Sequence, residues 1–254
     1  MMENYLRKIS LFNNEKENKI YHFLSYFILV LLILKSSIAD EIIVKNEDEF
    51  QTALLGLKGE RTIIINGKLF FDMKNDFKVM PPTNYGSIIL KGINKEESII
   101  DFKYRKYGII FENITSVEIC DLTFYGHIQL MRIEESGYIH DIDHMGLTDT
   151  RGAEKGGQYK FKNYNFIAND QDARAKSVQL TGGNTYIEDS RFVGSIGCTE
   201  SVVRYNGKTF EEREFHVKNC FFNGNHYCNG MIVQEGNFSL YNSNFINGYN
   251  RKQG

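Results

Sequence analysis

The chain has 254 residues and sets 30 Lys and Arg against 32 Asp and Glu, a formal charge of −2, so it carries no basic footprint for a nucleic acid. With 42% hydrophobic and 24% charged residues, 19 Phe, 15 Tyr, 2 Pro and no Trp, it has the composition of a folded protein and not of a disordered one. The length suits one long β or repeat domain, or two short domains.

Residues 1–39 read as a targeting segment. An apolar core at 27–34, or 23–34 at its widest, follows Arg7, Lys8, Lys16 and Lys19. Ser37 and Ala39 occupy the small-residue positions of a signal-peptidase site, which makes Asp40 the mature N-terminus. The apolar run is shorter than the ~20 residues that span a bilayer comfortably. The long preceding region keeps an uncleaved signal anchor open, with a buried core helix as the third alternative. Either targeting reading puts residues 40–254 outside the cytoplasm, secreted or on the cell surface. Contact with a membrane then runs only through residues 23–34, if they are retained. The four cysteines are expected to meet an oxidising compartment.

Residues 40–44 suggest a short strand, and Asn46 with Glu49 suggests a helix start with N-cap and capping-box chemistry. Phe50, Leu54 and Leu57 give that helix one apolar stripe, and Gly59 ends it. Such a helix predicts a cap, spanning 40–59, over the open end of a sheet stack. Short β-branched or aromatic runs follow at 62–65, 68–71, 87–90, 98–101 and 108–111, punctuated by Gly67, Gly86, Gly92 and Gly108.

From Val117 onward one unit repeats. Apolar residues alternate, an Asn or Asp follows, and an apolar residue closes the unit three positions later. The closing residues are Phe124, Met145, Phe166, Phe192, Phe222 and Phe245, with the copy ending at Met145 irregular by one residue. The copies recur every 21 to 30 residues, a period that marks stacked repeats. Second strands lie between most copies, at 128–133, 177–180, 201–204 and 231–234. Counting back from the closing residue gives an inward set of Val117/Ile119/Phe124, Tyr159/Phe161/Phe166, Thr185/Ile187/Phe192, Phe215/Val217/Phe222 and Phe238/Leu240/Phe245. Asp121, Asn163, Asp189, Asn219 and Asn242 form a structural ladder three positions before closing, and Asp141 joins it in the irregular copy.

These repeats resemble those of right-handed parallel β-helix proteins, the pectate-lyase-like superfamily, over roughly residues 40–254. The Phe222, Asn225 and Gly230 spacing is also loosely similar to surface β-helix adhesins. The fold expected is therefore an all-β, right-handed parallel β-helix (a solenoid) with an N-terminal capping helix. Stacking puts Cys198 and Cys228, each six residues after a closing Phe, within disulfide reach. Cys120 and Cys220 fall at different repeat positions several coils apart and are not expected to pair. Asn113 and Asn237 begin N-glycosylation tripeptides. The chain stops nine residues after Phe245 without a capping element, which a longer parent protein or an oligomeric contact would explain.

The resemblance implies that loops off the stack build a groove for an acidic polysaccharide, with an Arg or Lys base and calcium-holding carboxylates, or paired aspartates. The hydrolase strings Asn-Thr-Asp, Gly-His-Gly and Arg-Ile-Lys are absent; Gly126-His127 and Arg132-Ile133 are fragments. Two stretches read as irregular loops on neighbouring coils, 146–157 and 169–176. Asp149, Asp170 and Asp172 are candidate calcium ligands. Arg151, Arg174 and Lys176 are candidates for pairing with a uronate or for acting as base. His140, Asp141, Asp143 and His144 look like a metal cluster, but strand alternation splits them between faces. Gln129, Gln179, Arg204 and Gln234 are expected to form an outward polar row. Two functions remain open: a non-catalytic glycan-binding or adhesion module whose partner is a polysaccharide or a cell-surface glycan or protein, and a polysaccharide lyase acting on an acidic glycan.

Overall fold

Among the described residues, twenty strands pair in parallel throughout, each with its counterpart in the coil above, the coil below or both. The computed structural model describes residues 40–55, 59–80, 86–152, 157–168, 176–194, 201–206, 213–225, 231–233 and 237–248. Residues 1–39, read above as a targeting segment, and Cys198, Cys228, Asp170, Asp172, Arg174 and Gln234 lie outside these residues. Among the described residues, no helix is long and apolar enough to cross a membrane.

The pairings form three ladders, an arrangement compatible with a β-helix solenoid. The first climbs from Asp40–Val44 through Gly59–Ile65, Gly86–Gly92 and Ser116–Cys120 to Asn184–Glu188, Glu214–Lys218 and Asn237–Tyr241. The second begins at Lys68–Phe71 and Ile99–Phe102 and ends at Phe221–Asn223 and Asn244–Ile246. The third runs from Phe77–Val79 and Gly108–Glu112 to Lys176–Thr181, Ser201–Asn206 and Met231–Val233. Three long strands, Thr123–Ile133, Ser136–Gly152 and Gln158–Ala168, turn the corner and serve more than one ladder. Within the described residues the stack therefore reaches back to Asp40, well before the repeat becomes recognisable at Val117. Early coils hide it for a local reason. A turn at residues 93–97, held by the Asn94 side chain accepting from the Glu96 and Glu97 amides, lengthens the path between ladders. Aliphatic Leu69 and Ile100 occupy the position that Phe fills later.

The helix spans Glu47–Leu54. Asn46 Oδ1 accepts from the Glu49 amide at 2.9 Å, and Glu49 accepts from the Lys45 amide at 2.8 Å. Arg61 Nη1 donates to the Ala53 carbonyl at 2.7 Å and occupies an orphan acceptor at the helix end. Phe50, Ala53 and Leu54 are buried, and Phe50 meets Phe71 edge-on at 5.6 Å. The helix thus covers the interior of the first coil.

All the expected inward residues of the copies closing at Phe124, Phe166, Phe192 and Phe222 are buried. In the last described coil, Phe238, Leu240 and Phe245 hold the same register positions yet remain exposed. The closing row stacks face to face at its upper end, Phe192 on Phe222 at 5.1 Å and Phe222 on Phe245 at 4.7 Å. A fully buried Phe contributes about 1.5–3 kcal/mol, and a stacked pair adds about 0.5–1.5 kcal/mol.

One copy corrects the sequence reading. His144, and not Met145, pairs with Phe124 below and Phe166 above. His144 is buried, while Met145 pairs with outward Tyr125 and is half-buried. That copy has no irregularity, and Asp141 sits three positions before closing like its fellows.

The ladder at that position has a backbone cause. Asp121, Asp141, Asn163, Asp189, Asn219 and Asn242 all have φ between 45 and 56°. Asn and Asp tolerate the left-handed region better than other side-chain-bearing residues. The bend also resets the alternation. The next residue points inward too, and Leu122, Ile142, Tyr164, Ser190 and Cys220 are buried there. Outside the bend the side chains bond to one another, Asn163 to Asp141 at 2.5 Å, Asn219 to Asp189 at 3.0 Å and Asn242 to Asn219 at 2.9 Å.

Asn219→Ala is expected to destabilise the protein by about 1–2 kcal/mol, through a left-handed alanine and two lost amide contacts. Asn219→Gly removes the backbone penalty and is expected to cost less. Urea unfolding of both variants checks this; equal losses would assign the effect to the side-chain ladder alone.

Candidate functional site

The stretch proposed as a loop at 146–157 is a strand as far as Gly152. Thr148 and Thr150 point inward at positions that Ile128 and Leu130 fill in the coil below. Asp149 pairs in register with Gln129 and Gln179 and joins the expected polar row, which continues to Arg204. Ile232, not Gln234, stands opposite Arg204. Gln129 and Asp149 are buried, so the row is not a wet outer face at this level. Arg151 Nη2 lies 3.6 Å from Asp149 Oδ2. Two of the expected groups thus pair with each other on one strand. Lys176 opens the strand Lys176–Thr181. Asp170, Asp172 and Arg174 lie outside the described residues, as does the Cys198–Cys228 pair. Cys120 and Cys220 are free and buried. Asn113 sits in a left-handed bend with φ 55°, and Asn237 is exposed on the strand Asn237–Tyr241.

The constellation with most chemistry lies on the outward face of the first ladder. One row there reads Glu118, Tyr138, Lys160, Tyr186 and His216; its neighbour reads Cys120, His140, Lys162, Glu188 and Lys218. Strand alternation puts each residue on this face, and parallel pairing sets successive members of a row one strand spacing apart, about 4.8 Å, with the two rows roughly 6.6 Å apart along the strands. Tyr138, Gln158, Lys160, Lys162, Tyr186 and Glu188 line a hollow of about 410 Å³. A second hollow of about 280 Å³, lined in part by Glu60, Ser87, Glu118 and Ser136, meets the first at Tyr138. Tyr138 stacks on His140 at 4.1 Å, and Tyr186 stacks on His216 at 5.0 Å. Lys160 and Lys162 are exposed.

At the lower end of this face, His140 Nε2 lies 3.1 Å from Glu118 Oε1, and its Nδ1 lies 2.8 Å from Asp141 Oδ2. The His140 ring, and next the Asn163 amide, hold the Asp141 carboxyl below its ordinary range. Cys120 sits beneath; burial, then the charges of Asp121 and Glu118, push its thiol up to about 12. Glu118, Cys120 and His140 each offer one ligand atom, all within 4.8 Å of one another. The sequence reading missed this set because closing the copy at Met145 moves His140 one step out of register with Cys120.

His144 belongs to the interior. Its Nε2–H donates to the Gly126 carbonyl at 2.8 Å, which leaves Nδ1 as acceptor for the Tyr164 hydroxyl at 2.5 Å. Thr148 Oγ1 then donates to the Tyr164 oxygen at 2.6 Å. The rings of Phe124 and Phe166 meet His144 edge-on at 5.6 and 5.3 Å. Gly146 permits the approach to Gly126, since a Cβ on Gly146 would lie 1.6 Å from that carbonyl oxygen. Burial lowers the imidazole from 6.5 to about 3, against a smaller upward pull from the Gly126 carbonyl. His144 is therefore a neutral packing element, remote from the outward-facing His140.

No protein-family model matches the chain, and the searches of curated proteins and of solved structures likewise return no match.

A buried neutral histidine makes the fold acid-sensitive. Between its unfolded value near 6.5 and its folded value of about 3, the unfolded chain binds the extra proton, so stability falls as pH drops through that window. The contribution is at most about 1.4 kcal/mol per pH unit. His144→Phe, which installs the residue found in neighbouring coils, is expected to flatten the fall of Tm between about pH 6 and pH 4. Parallel curves for the variant and the parent would contradict the interior assignment.

Proposed function

We propose that this chain is a secreted or cell-surface β-helix of the right-handed, pectate-lyase-like type that binds a glycan without turning it over, as an adhesion or structural module. The observation that carries this reading is the hollow in which exposed Lys160 lies between Tyr138 and Tyr186 and exposed Lys162 between His140 and Glu188, with Gln158 also on its lining. Tyr faces offer apolar area to a sugar ring while their hydroxyls stay wet, and two ammonium groups suit the carboxylates of a uronate chain. The site lies on sheet, so its side chains are held in register before a ligand arrives, and binding orders fewer groups. Right-handed winding is supported by the near-universal hand of parallel crossovers. Placement outside the cytoplasm is supported by the apolar core at 27–34 and the small residues Ser37 and Ala39.

The lyase alternative draws on Arg151, Arg174 and Lys176 as base and on Asp149, Asp170 and Asp172 as calcium ligands. Arg151 is engaged by Asp149, and Asp149 is buried, which gives that alternative less support than the open hollow gives to binding.

The test is binding of the purified chain to a panel of uronate polymers and neutral glucans. Retention on a uronate polymer is expected, weakening with added salt and falling at least about tenfold in a Lys160→Ala/Lys162→Ala variant with unchanged circular dichroism. Binding that the double variant leaves intact would remove this hollow as the site. Calcium-dependent release of unsaturated products from the polymer would replace the binding module with a lyase.

A further inference from the structure

The geometry points to a transition-metal site of the zinc class formed by Glu118 Oε1, Cys120 Sγ and His140 Nε2, with Asp141 orienting the histidine. The three ligand atoms come from two neighbouring rungs. Glu118 and Cys120 lie two residues apart on the strand Ser116–Cys120, and Cys120 pairs in register with His140. Period-two alternation puts the first two on one face, and parallel register brings the third beside them.

The second layer is complete. Nδ1 of His140 is 2.8 Å from Asp141 Oδ2, which fixes the ring with Nε2 turned toward Glu118. A carboxylate behind a ligating imidazole selects the tautomer and strengthens the nitrogen as a ligand. Asp141 is itself held twice, by its left-handed backbone and by the Asn163 amide at 2.5 Å. Tyr138 stacks on the ring from the open side at 4.1 Å. The imidazole therefore has one orientation before any metal arrives.

Ligand identity selects the ion. A thiolate, an imidazole and one carboxylate suit Zn²⁺ or Co²⁺ and do not suit Ca²⁺ or Mg²⁺, which take oxygen ligands. Ligand atoms around tetrahedral zinc stand roughly 3.3–3.8 Å apart, given bonds of about 2.0–2.3 Å. The present separations, up to 4.8 Å, close by movements of about an ångström at Glu118 and His140, both only half-buried. Three protein ligands leave the fourth position to water or an incoming group on the side of Tyr138. Asp121 and Asp141 adjoin the three ligands and supply negative charge, while Lys91 pairs in register with Cys120 and Lys162 with His140, on the strands to either side. The three ligands are distinct from Lys160 and Lys162, whose change tests the glycan reading, although Lys162 pairs in register with His140 and Tyr138 borders both.

Titration of the metal-free full chain with Co²⁺ tests the assignment. One equivalent is expected to bind with a thiolate-to-cobalt charge-transfer band in the near ultraviolet, and Zn²⁺ is expected to displace it. Cys120→Ser and His140→Gln should each abolish the band. Asp141→Asn should keep it while weakening affinity about 10–100-fold. Cys220→Ser and the Cys198→Ser/Cys228→Ser pair should leave it unchanged. Circular dichroism identifies any variant that fails to fold, and His140→Gln, at an outward position, provides the arm that leaves the interior untouched. Absence of the band in the parent chain overturns the site. So does a band that persists without Cys120 or without His140.

Discussion

Each coil of a stacked parallel sheet must place its bend directly over the bend below. At the corner between the first and second ladders the constraint is met by one left-handed Asp or Asn per coil from Asp121 to Asn242, while Asn113, Arg132, Asn225 and Asn247 are left-handed elsewhere. The bend lets the residue after it face inward, as Leu122, Ile142 and Tyr164 do, so both sides of the corner help to fill the interior. Moving the bend by one position would expose Phe and bury Lys throughout the coil. Register is therefore the property on which packing, the polar row and the outward face all depend.

Much of this was legible in the sequence. Alternation before Phe124, Phe166, Phe192, Phe222 and Phe245 reports the inward set, and the Asn or Asp three positions earlier marks the bend. The N-cap at Asn46 and the stripe through Phe50 and Leu54 are likewise local signals. What escaped is non-local. A histidine can close a coil only because Gly126 and Tyr164, on the two neighbouring coils, satisfy both ring nitrogens, with Thr148 of its own strand donating to Tyr164. Nothing adjacent to His144 in sequence announces those partners, whereas Met145 offers itself as an ordinary apolar closing residue. The strand at 146–152 escaped for a related reason. Its Gly, Thr, Asp and Arg have the composition of a loop, and Thr148 and Thr150 face an interior that elsewhere receives aliphatic side chains.

The one-residue error at His144 also decided what could be seen of the chemistry. With Met145 as the closing residue, His140 counts as inward and the string around it dissolves into scattered polar residues. With His144 in place, His140 comes to stand beside Cys120, above Glu118 and next to Asp141. The same face continues upward through Tyr138, Lys160 and Tyr186. Interior and exterior are thus coupled through register: the neutral histidine within the coil fixes the position of the outward histidine four residues before it. Asp149 is drawn the other way, into a buried row on the third ladder, with exposed Arg151 beside it.

Paired cysteines placed across the two rungs in question report that register directly. Asp143→Cys with Asn165→Cys occupies opposed positions, whose Cα separation of about 4.8 Å in parallel strands lies inside the ~4.4–6.8 Å range of disulfides. Peptide mapping after mild oxidation should find that pair bridged and should find His144→Cys with Asn165→Cys unbridged. The reverse result, with 144 joined to 165 and 143 left free, would place Met145 at the closing position and contradict the account.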